Sequence, residues 1–317
     1  MKTTLKVLVI SLGMMYSCAL MAQTSYATQD TTYIHAVEQG LDYLKKGECQ
    51  LCLDAYRKAL SISQKSALST FRAAVCAYQC RLDTLAKTFI QQAIDIDYKI
   101  AEDVWFDSEL APEFDVVRSS RLNDYVTESF ALKDEQLGLH VALKRELASI
   151  HAIDQEPRLA LDSIVRIYGQ SSKEWQHHWQ QTHKTDSMNL VRIEQIIKQY
   201  GYPGKSLVGE RQKNTAWLVI QHSPLSKQEK YLSLIQRAAN AGETEKSNLA
   251  LLIDRIRMYK GRKQLYGSQI ITAPDGSKFF HPIEDKASVN KRRAQVGLGL
   301  IEEYAKEFGV EYKPHNK

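Results

Sequence analysis

Residues 201–222 read GYPGKSLVGERQKNTAWLVIQH, and the rest of the chain is best understood outward from them. A Gly/Pro turn opens the stretch, and a helix starts near Ser206. It runs through Ala216-Trp217-Leu218-Val219-Ile220 until Ser223-Pro224 stops it. A helix so apolar late in its course has no polar face to offer water, so it belongs inside a helical core. Gln221 and His222 come off its end, where a polar side chain is held by a packed element and still reaches a cleft.

Downstream, Ser226-Lys-Gln-Glu229 has the form of a capping box, followed by Tyr231, Leu234, Ile235 and Ala238 up to Gly242. Leu249, Leu252, Ile253 and Ile256 mark the next helix, with Asp254 and Arg255 mid-way and Gly261 closing it. The period then changes. Gln264 to Thr272 and Lys278 to Ile283 alternate around Pro274-Asp275-Gly276, which predicts a β-hairpin. A last helix, about Val289 to Phe308, begins with Lys291-Arg292-Arg293. Basic residues in a first turn oppose the helix dipole, so Arg292 and Arg293 are expected to meet an anion. Glu284 and Asp285 are the local choices, and a bound ligand is the functional one.

Upstream, Leu139, Leu143, Leu147 and Ile150 form one helical stripe. Leu161, Ile164, Val165 and Tyr168 form another, after Pro157 at a helix start. Trp175 and Trp179 lie on a third helix among His177, His178 and His183, and Asp186 caps a fourth that Gly201 ends. None of those histidines is paired at the i, i+4 spacing of a helical zinc site, so no metal is expected. Pro203-Gly204-Lys205-Ser206 imitates the end of a phosphate-binding loop. It lacks the glycine at position 199 and the preceding strand, so no nucleotide or other cofactor is expected. The fold class is mainly α: N-terminal helical hairpins, then an irregular helical domain with one small β-hairpin.

The N-terminal third carries a repeat. Cys52, Tyr56 and Ala59 return as Ala86, Ile90 and Ala93 about 34 residues later, and Gly40 returns as Ala74. Small residues at these spacings let two antiparallel helices close, with a large residue in the groove. Gly40, Tyr43, Cys52, Tyr56 and Ala59 thus resemble the tetratricopeptide repeat family over roughly residues 33–100, although Ala77 and Arg81 replace an aromatic and a turn glycine in the second copy. That resemblance implies a peptide or protein partner. Two copies are few for a free-standing array, which makes a packed spacer the better reading. Residues 101–132, rich in Asp and Glu among Trp105, Phe106, Phe114 and Tyr125, read as an acidic linker that caps the repeats. They lack the alternating oxygens and the turn glycine of a calcium loop.

Cys49 and Cys52 fall on one helix of that hairpin pair, Cys76 and Cys80 on the next. Facing residues of antiparallel helices have a constant index sum, and the pairs Cys49–Cys80 and Cys52–Cys76 come into register together. Two disulfides are expected in an oxidising compartment, with a four-Cys zinc site the rival and buried thiols third.

The compartment is argued from residues 1–22, which read as a secretory signal. Lys2 and Lys6 are basic, Val7 to Leu20 is apolar, and Ala22-Gln23 is a cut, with Ser25-Tyr26-Ala27 as a fallback. Anchoring through Cys18 as a lipoprotein is the lesser alternative. No later apolar run is long enough for a membrane span. The chain is expected to be exported, periplasmic or extracellular. Its formal charge of +5, smaller once Lys2 and Lys6 are removed, gives no nucleic-acid footprint. With 44% hydrophobic and 25% charged residues, global disorder is excluded.

Asp154-Gln155 with Arg158, GYPGKSLVG, AWLVIQH, Asp254-Arg255, Gln264-Leu-Tyr-Gly-Ser-Gln269 and Arg292-Arg293 before Gly297-Leu298 together resemble a bacterial family of unknown function. The resemblance covers about residues 133–312, a C-terminal domain, in a family whose members often carry tetratricopeptide-like repeats upstream. Tyr202 and Ser268 stand where Trp and Thr are expected. It implies no activity, so function is argued from the residues. Gln155, Arg158, Gln221, Arg255, Gln264, Tyr266, Gln269, Arg292 and Arg293 suit holding a small polar or anionic ligand, an envelope fragment or peptide. His222 oriented by Asp254 would instead make a general base, and the chain an enzyme. The third reading is a buried polar network that only holds the domain together.

Overall fold

A computed structural model of the chain describes residues 28–169, 172–273 and 276–313. The signal segment, Cys18 and Pro274-Asp275 at the hairpin tip lie outside them. The protein is mainly α with one small antiparallel sheet, and its contacts divide it between Leu139 and His140 into two units.

The N-terminal unit starts as two helical hairpins, α1 (Thr31–Lys46) with α2 (Cys49–Ile62) and α3 (Ala67–Gln79) with α4 (Asp83–Ile96). Asp30 caps α1 by accepting from the backbone of Thr32 and Tyr33, and Gly47 ends it at φ 73°. Gly40 shows why a small residue is needed on α1: a Cβ there would sit 2.7 Å from the Tyr56 ring, which is fully buried. Two disulfides tie α2 to the end of α3, Cys49–Cys80 and Cys52–Cys76, with Cα separations of 5.4 and 5.7 Å. With all four sulfurs bonded in pairs, none is left as a thiolate for zinc.

After α4 come α5 (Tyr98–Phe106), a 3₁₀ turn (Pro112–Phe114), α6 (Asp115–Arg118) and α7 (Leu122–Gln136). Phe71 of α3 stacks on Trp105 and Phe114 at 5.5 and 5.3 Å, and Arg72 pairs with Glu113 at 2.7 Å. Arg118 fastens the segment by donating to the carbonyls of Val104, Trp105 and Ala111. Phe71 of α3 is thus covered by the chain's own aromatic residues.

The C-terminal unit comprises α8 (Val141–Leu159), α9 (Leu161–Tyr168), α10 (Lys173–Tyr200), α11 (Lys205–Gln212), α12 (Thr215–His222), α13 (Leu225–Asn240), α14 (Lys246–Tyr259), β1 (Ile270–Thr272), β2 (Lys278–Phe280), α15 (Val289–Gln295) and α16 (Ile301–Glu307). At its centre is α12. Every residue from Thr215 to Gln221 is buried, and the helix packs on α8, α10, α13 and α14. Burying Trp217, Leu218, Val219 and Ile220 contributes about 1.5–3 kcal/mol each, which fixes where the helix end points. No helix among the described residues is long and apolar enough to cross a membrane.

Several boundaries differ from the expected ones, each for a local reason. The helix expected through Ser206 and Ile220 is two, parted by a turn at Lys213-Asn214, and Gly209 (φ 79°, ψ 177°) kinks the first of them. Asp186 caps nothing: α10 runs unbroken from Lys173 to Tyr200, and Asp186 is buried in its middle. Pro157 lies inside the last turn of α8 and starts no helix. The SKQE capping box does not form, as α13 begins at Leu225 without a side-chain cap. The last helix is also two, divided at Gly297 (φ 77°), which puts Arg292 and Arg293 in a last turn where the dipole favours them. The hairpin pairs only Ile270–Thr272 with Lys278–Phe280, plus an isolated bridge from Gln264 to Ile283.

Candidate functional site

Three helices build one polar cluster. From α8 come Asp154, Gln155 and Arg158, from the middle of α10 comes Asp186, and from the end of α12 comes His222. Asp154 and Arg158 share a face because they are four residues apart on a helix. The His222 Nδ1 lies 3.1 and 3.2 Å from the two Asp154 carboxylate oxygens. Gln155 donates to the same carboxylate at 2.6 Å. Arg158 spans both acids: Nη2 is 2.8 Å from Asp186, while Nη1 is 3.4 Å from the Asp154 carboxylate and donates to the Asp154 carbonyl. Asp154 is fully buried, and the His222 side chain is 9% exposed. His183, a turn before Asp186, stands exposed at its rim, 4.0 Å from that carboxylate.

The electrostatics set protonation states. Burial would raise the Asp154 carboxyl, but the His222 hydrogen bond and the charge of Arg158 oppose it, and the carboxyl lies below its ordinary value. Burial pushes His222 down against the pull of Asp154, and the charges of Arg158 and Arg255 add to the depression. The pair is therefore a neutral imidazole beside an ionised carboxylate. A carboxylate can only accept, so Nδ1 carries the proton and Nε2 keeps its lone pair. Nε2 has no hydrogen-bond partner among the described residues. Burial raises Asp186, opposed by Arg158.

Asp154, Asp186 and His222 also bring three ligand atoms within 4.8 Å of one another, a set that could hold a metal ion. Arg158 already bridges the two acids, and a bound cation would have to displace or repel it.

A second polar cluster lies behind the loop after α14. The buried Asp254 carboxylate accepts from the backbone of Leu265 (2.6 Å), Tyr266 (3.1 Å) and Ser268 (3.1 Å) and from the Ser268 hydroxyl (3.0 Å). Gln264 and Gln269 tie the hairpin base, each bonding to the other's residue: Gln264 Nε2 to the Gln269 carbonyl, the Gln269 N–H to Gln264 Oε1. Arg292 donates to the Leu265, Glu284 and Asp285 carbonyls and lies 3.6 Å from the Asp285 carboxylate. Arg293, 1% exposed, donates to the Tyr266 and Gly299 carbonyls. These residues knot a loop. The structure thus brings Gln155, Arg158 and His222 together and sets Asp254, Gln264, Tyr266, Arg292 and Arg293 apart from them. Arg255 and Gln221 link the two clusters, with Arg255 Nη1 donating to the Gln221 carbonyl at 2.9 Å.

The family of unknown function DUF6624 matches residues 144–314. The chain belongs to that family. No curated protein and no solved structure matches it. All residues of both clusters fall within the DUF6624 segment. Two of them, Asp154 and Asp186, were not singled out as site residues from the sequence. For Asp154 the available signal was the arginine four residues later; for Asp186 it was an acid in a long helix with no Gly or Pro to break it. In the PGKS decoy, the N-terminus of α11 is met by the protein's own Glu243, whose carboxylate accepts from Ser206 N at 2.9 Å.

Proposed function

We propose that the DUF6624 domain is an acid–base centre that activates water for hydrolysis, with His222 as the base and Asp154 as the group that orients it. The observation that carries this is the imidazole held through Nδ1 by a buried carboxylate, with Nε2 unpartnered among the described residues. Water would give its proton to Nε2 as its oxygen attacks an electrophilic carbon or phosphorus. The imidazolium, stabilised by Asp154, then returns that proton to the leaving group. The nearby Ser223 hydroxyl is committed to the Ile220 carbonyl at 2.7 Å, which favours water over a serine nucleophile. Arg158 supplies positive charge beside the developing anion.

The two disulfides support an exported, periplasmic or extracellular protein whose tetratricopeptide-like hairpins serve as a stapled structural unit. A binding module that holds a polar or anionic ligand without turning it over is the second reading. It is favoured by the positive charge that Arg158 and Arg255 direct at His222.

The test is hydrolysis of a panel of chromogenic esters, phosphoesters and anilides by the purified protein, with and without chelator. His222→Gln should slow the reaction by about 10²–10⁴-fold and Asp154→Asn by less. If every hydrolysis found survives His222→Gln, the centre is not a base.

A further inference from the structure

Arg255 sits mid-way along α14 and is 4% exposed, yet it has no acidic partner among the described residues. Nε donates to Gln269 Oε1 at 3.3 Å, Nη1 donates to the Gln221 carbonyl, and Nη2 meets no acceptor. Beside it, the Gln221 side chain is fully buried, and neither its Nε2 nor its Oε1 has a partner. Buried cations are ordinarily paired and buried amides hydrogen-bonded, because stranding either forfeits its hydration. Arg158, by contrast, has two carboxylates. The unpartnered polar atoms here thus belong to one charged arginine and one neutral glutamine, and that glutamine directly precedes His222 in the chain.

We infer that Arg255 and Gln221 form a recognition site for an anionic oxygen group, a carboxylate or a phosphate, that carries an adjacent O–H or N–H donor. Nη2 and the Gln221 Nε2 supply the donors such an anion needs, and Gln221 Oε1 accepts from the adjacent group. A guanidinium suits both anions, since its fork matches their paired oxygens. The ligand supplies the counter-charge that the folded chain withholds. Burial and the nearby Arg158 bring Arg255 down to about 10, as expected of a cation with nothing opposite it. The inference deepens the acid–base reading by naming the class of substrate, and only the placement of the scissile bond near His222 rests on that reading.

Thermal unfolding of the full chain, titrated separately with inorganic phosphate, glycolate and acetate, tests it. Phosphate or glycolate should raise Tm with concentration, and acetate, which has no adjacent donor, should do so less. A response to phosphate alone assigns a phosphate-bearing ligand, and one to glycolate alone a carboxylate-bearing one. Gln221→Met removes an amide that makes no hydrogen bond, so the variant should fold with a Tm at or above that of the unsubstituted protein while its apparent affinity falls about tenfold or more. Arg255→Met should abolish the response, and if it fails to fold, Gln221→Met decides alone. No rise with any anion overturns the inference, as does an undiminished rise in Gln221→Met. His222→Gln should keep the rise in full. If it does while no hydrolysis depends on His222, the base has failed and the anion site stands.

Discussion

Asp254 offers the sharpest test of how the polar residues divide. Its carboxylate accepts from four donors on three residues of one loop. Replacing it by alanine strands the N–H groups of Leu265, Tyr266 and Ser268 and the Ser268 hydroxyl. A buried donor left dry costs about 1–3 kcal/mol, but water entering the vacated volume recovers part of that. The net loss expected for Asp254→Ala is therefore about 3–5 kcal/mol, the range for breaking a buried charged network. Asp254→Asn keeps the shape and one acceptor but turns an amide donor toward N–H groups, so it should lose about half as much. The damage spreads along the loop, because Arg292 and Arg293 are anchored on the Leu265 and Tyr266 carbonyls. Urea unfolding followed by tryptophan fluorescence reads this directly, with a lower midpoint and an unchanged slope. In the folded variant, His222 should react with diethyl pyrocarbonate as before, since its carboxylate is Asp154. Near-native stability in Asp254→Asn, together with a changed His222, would refute this division and return Asp254 to the site.

Gly40→Ala should cost about 1–3 kcal/mol by driving a methyl into the Tyr56 ring, and Tyr56→Leu in the same chain should recover part of it; thermal melts of the single and double variants check this. Reducing the disulfides should destabilise the N-terminal unit, by about 3–4 kcal/mol for a loop the length of that between Cys49 and Cys80 and by less for the nested pair; melts with and without reductant show it. Because burial holds His222 below its ordinary value, unfolding takes up a proton: its contribution is complete above the unfolded-state value of about 6.5 and is lost as pH falls through and below it. His222→Gln should flatten that limb of the stability–pH curve.

The parts of the fold legible in the sequence were those governed by burial and register. The run from Ala216 to Ile220 has no polar face, and α12 is accordingly the buried centre of its unit. The cysteines pair as antiparallel helices require, because register across one hairpin is a local property. The breaks were harder. Gly297 divides, and Gly209 kinks, helices that apolar spacing alone would continue, whereas Asp186, a cap by composition, lies inside α10. A capping residue stays in the helix when its side chain has a better partner than its own backbone, and Arg158 is that partner for Asp186.

The acid beside His222 shows where reading by residue type stops. Asp154 and Asp254 are both buried, both on helices, and each has an arginine within a helical turn. Sequence offers no ground for preferring one, and the nearer in the chain is the wrong distance measure, since helix packing and not separation decides what meets. What separates them in space is who donates. Asp254 receives three backbone N–H groups, which cannot move without unmaking the loop, so its charge is committed to structure. Asp154 receives an imidazole, an amide and a guanidinium, all on side chains, and one of these has a second nitrogen without a hydrogen-bond partner among the described residues. A carboxylate whose donors are side chains can change its hydrogen bonds as a proton moves; one saturated by main chain cannot. On the proposed acid–base reading the reacting pair is therefore His222 with Asp154, while Asp254 holds its loop.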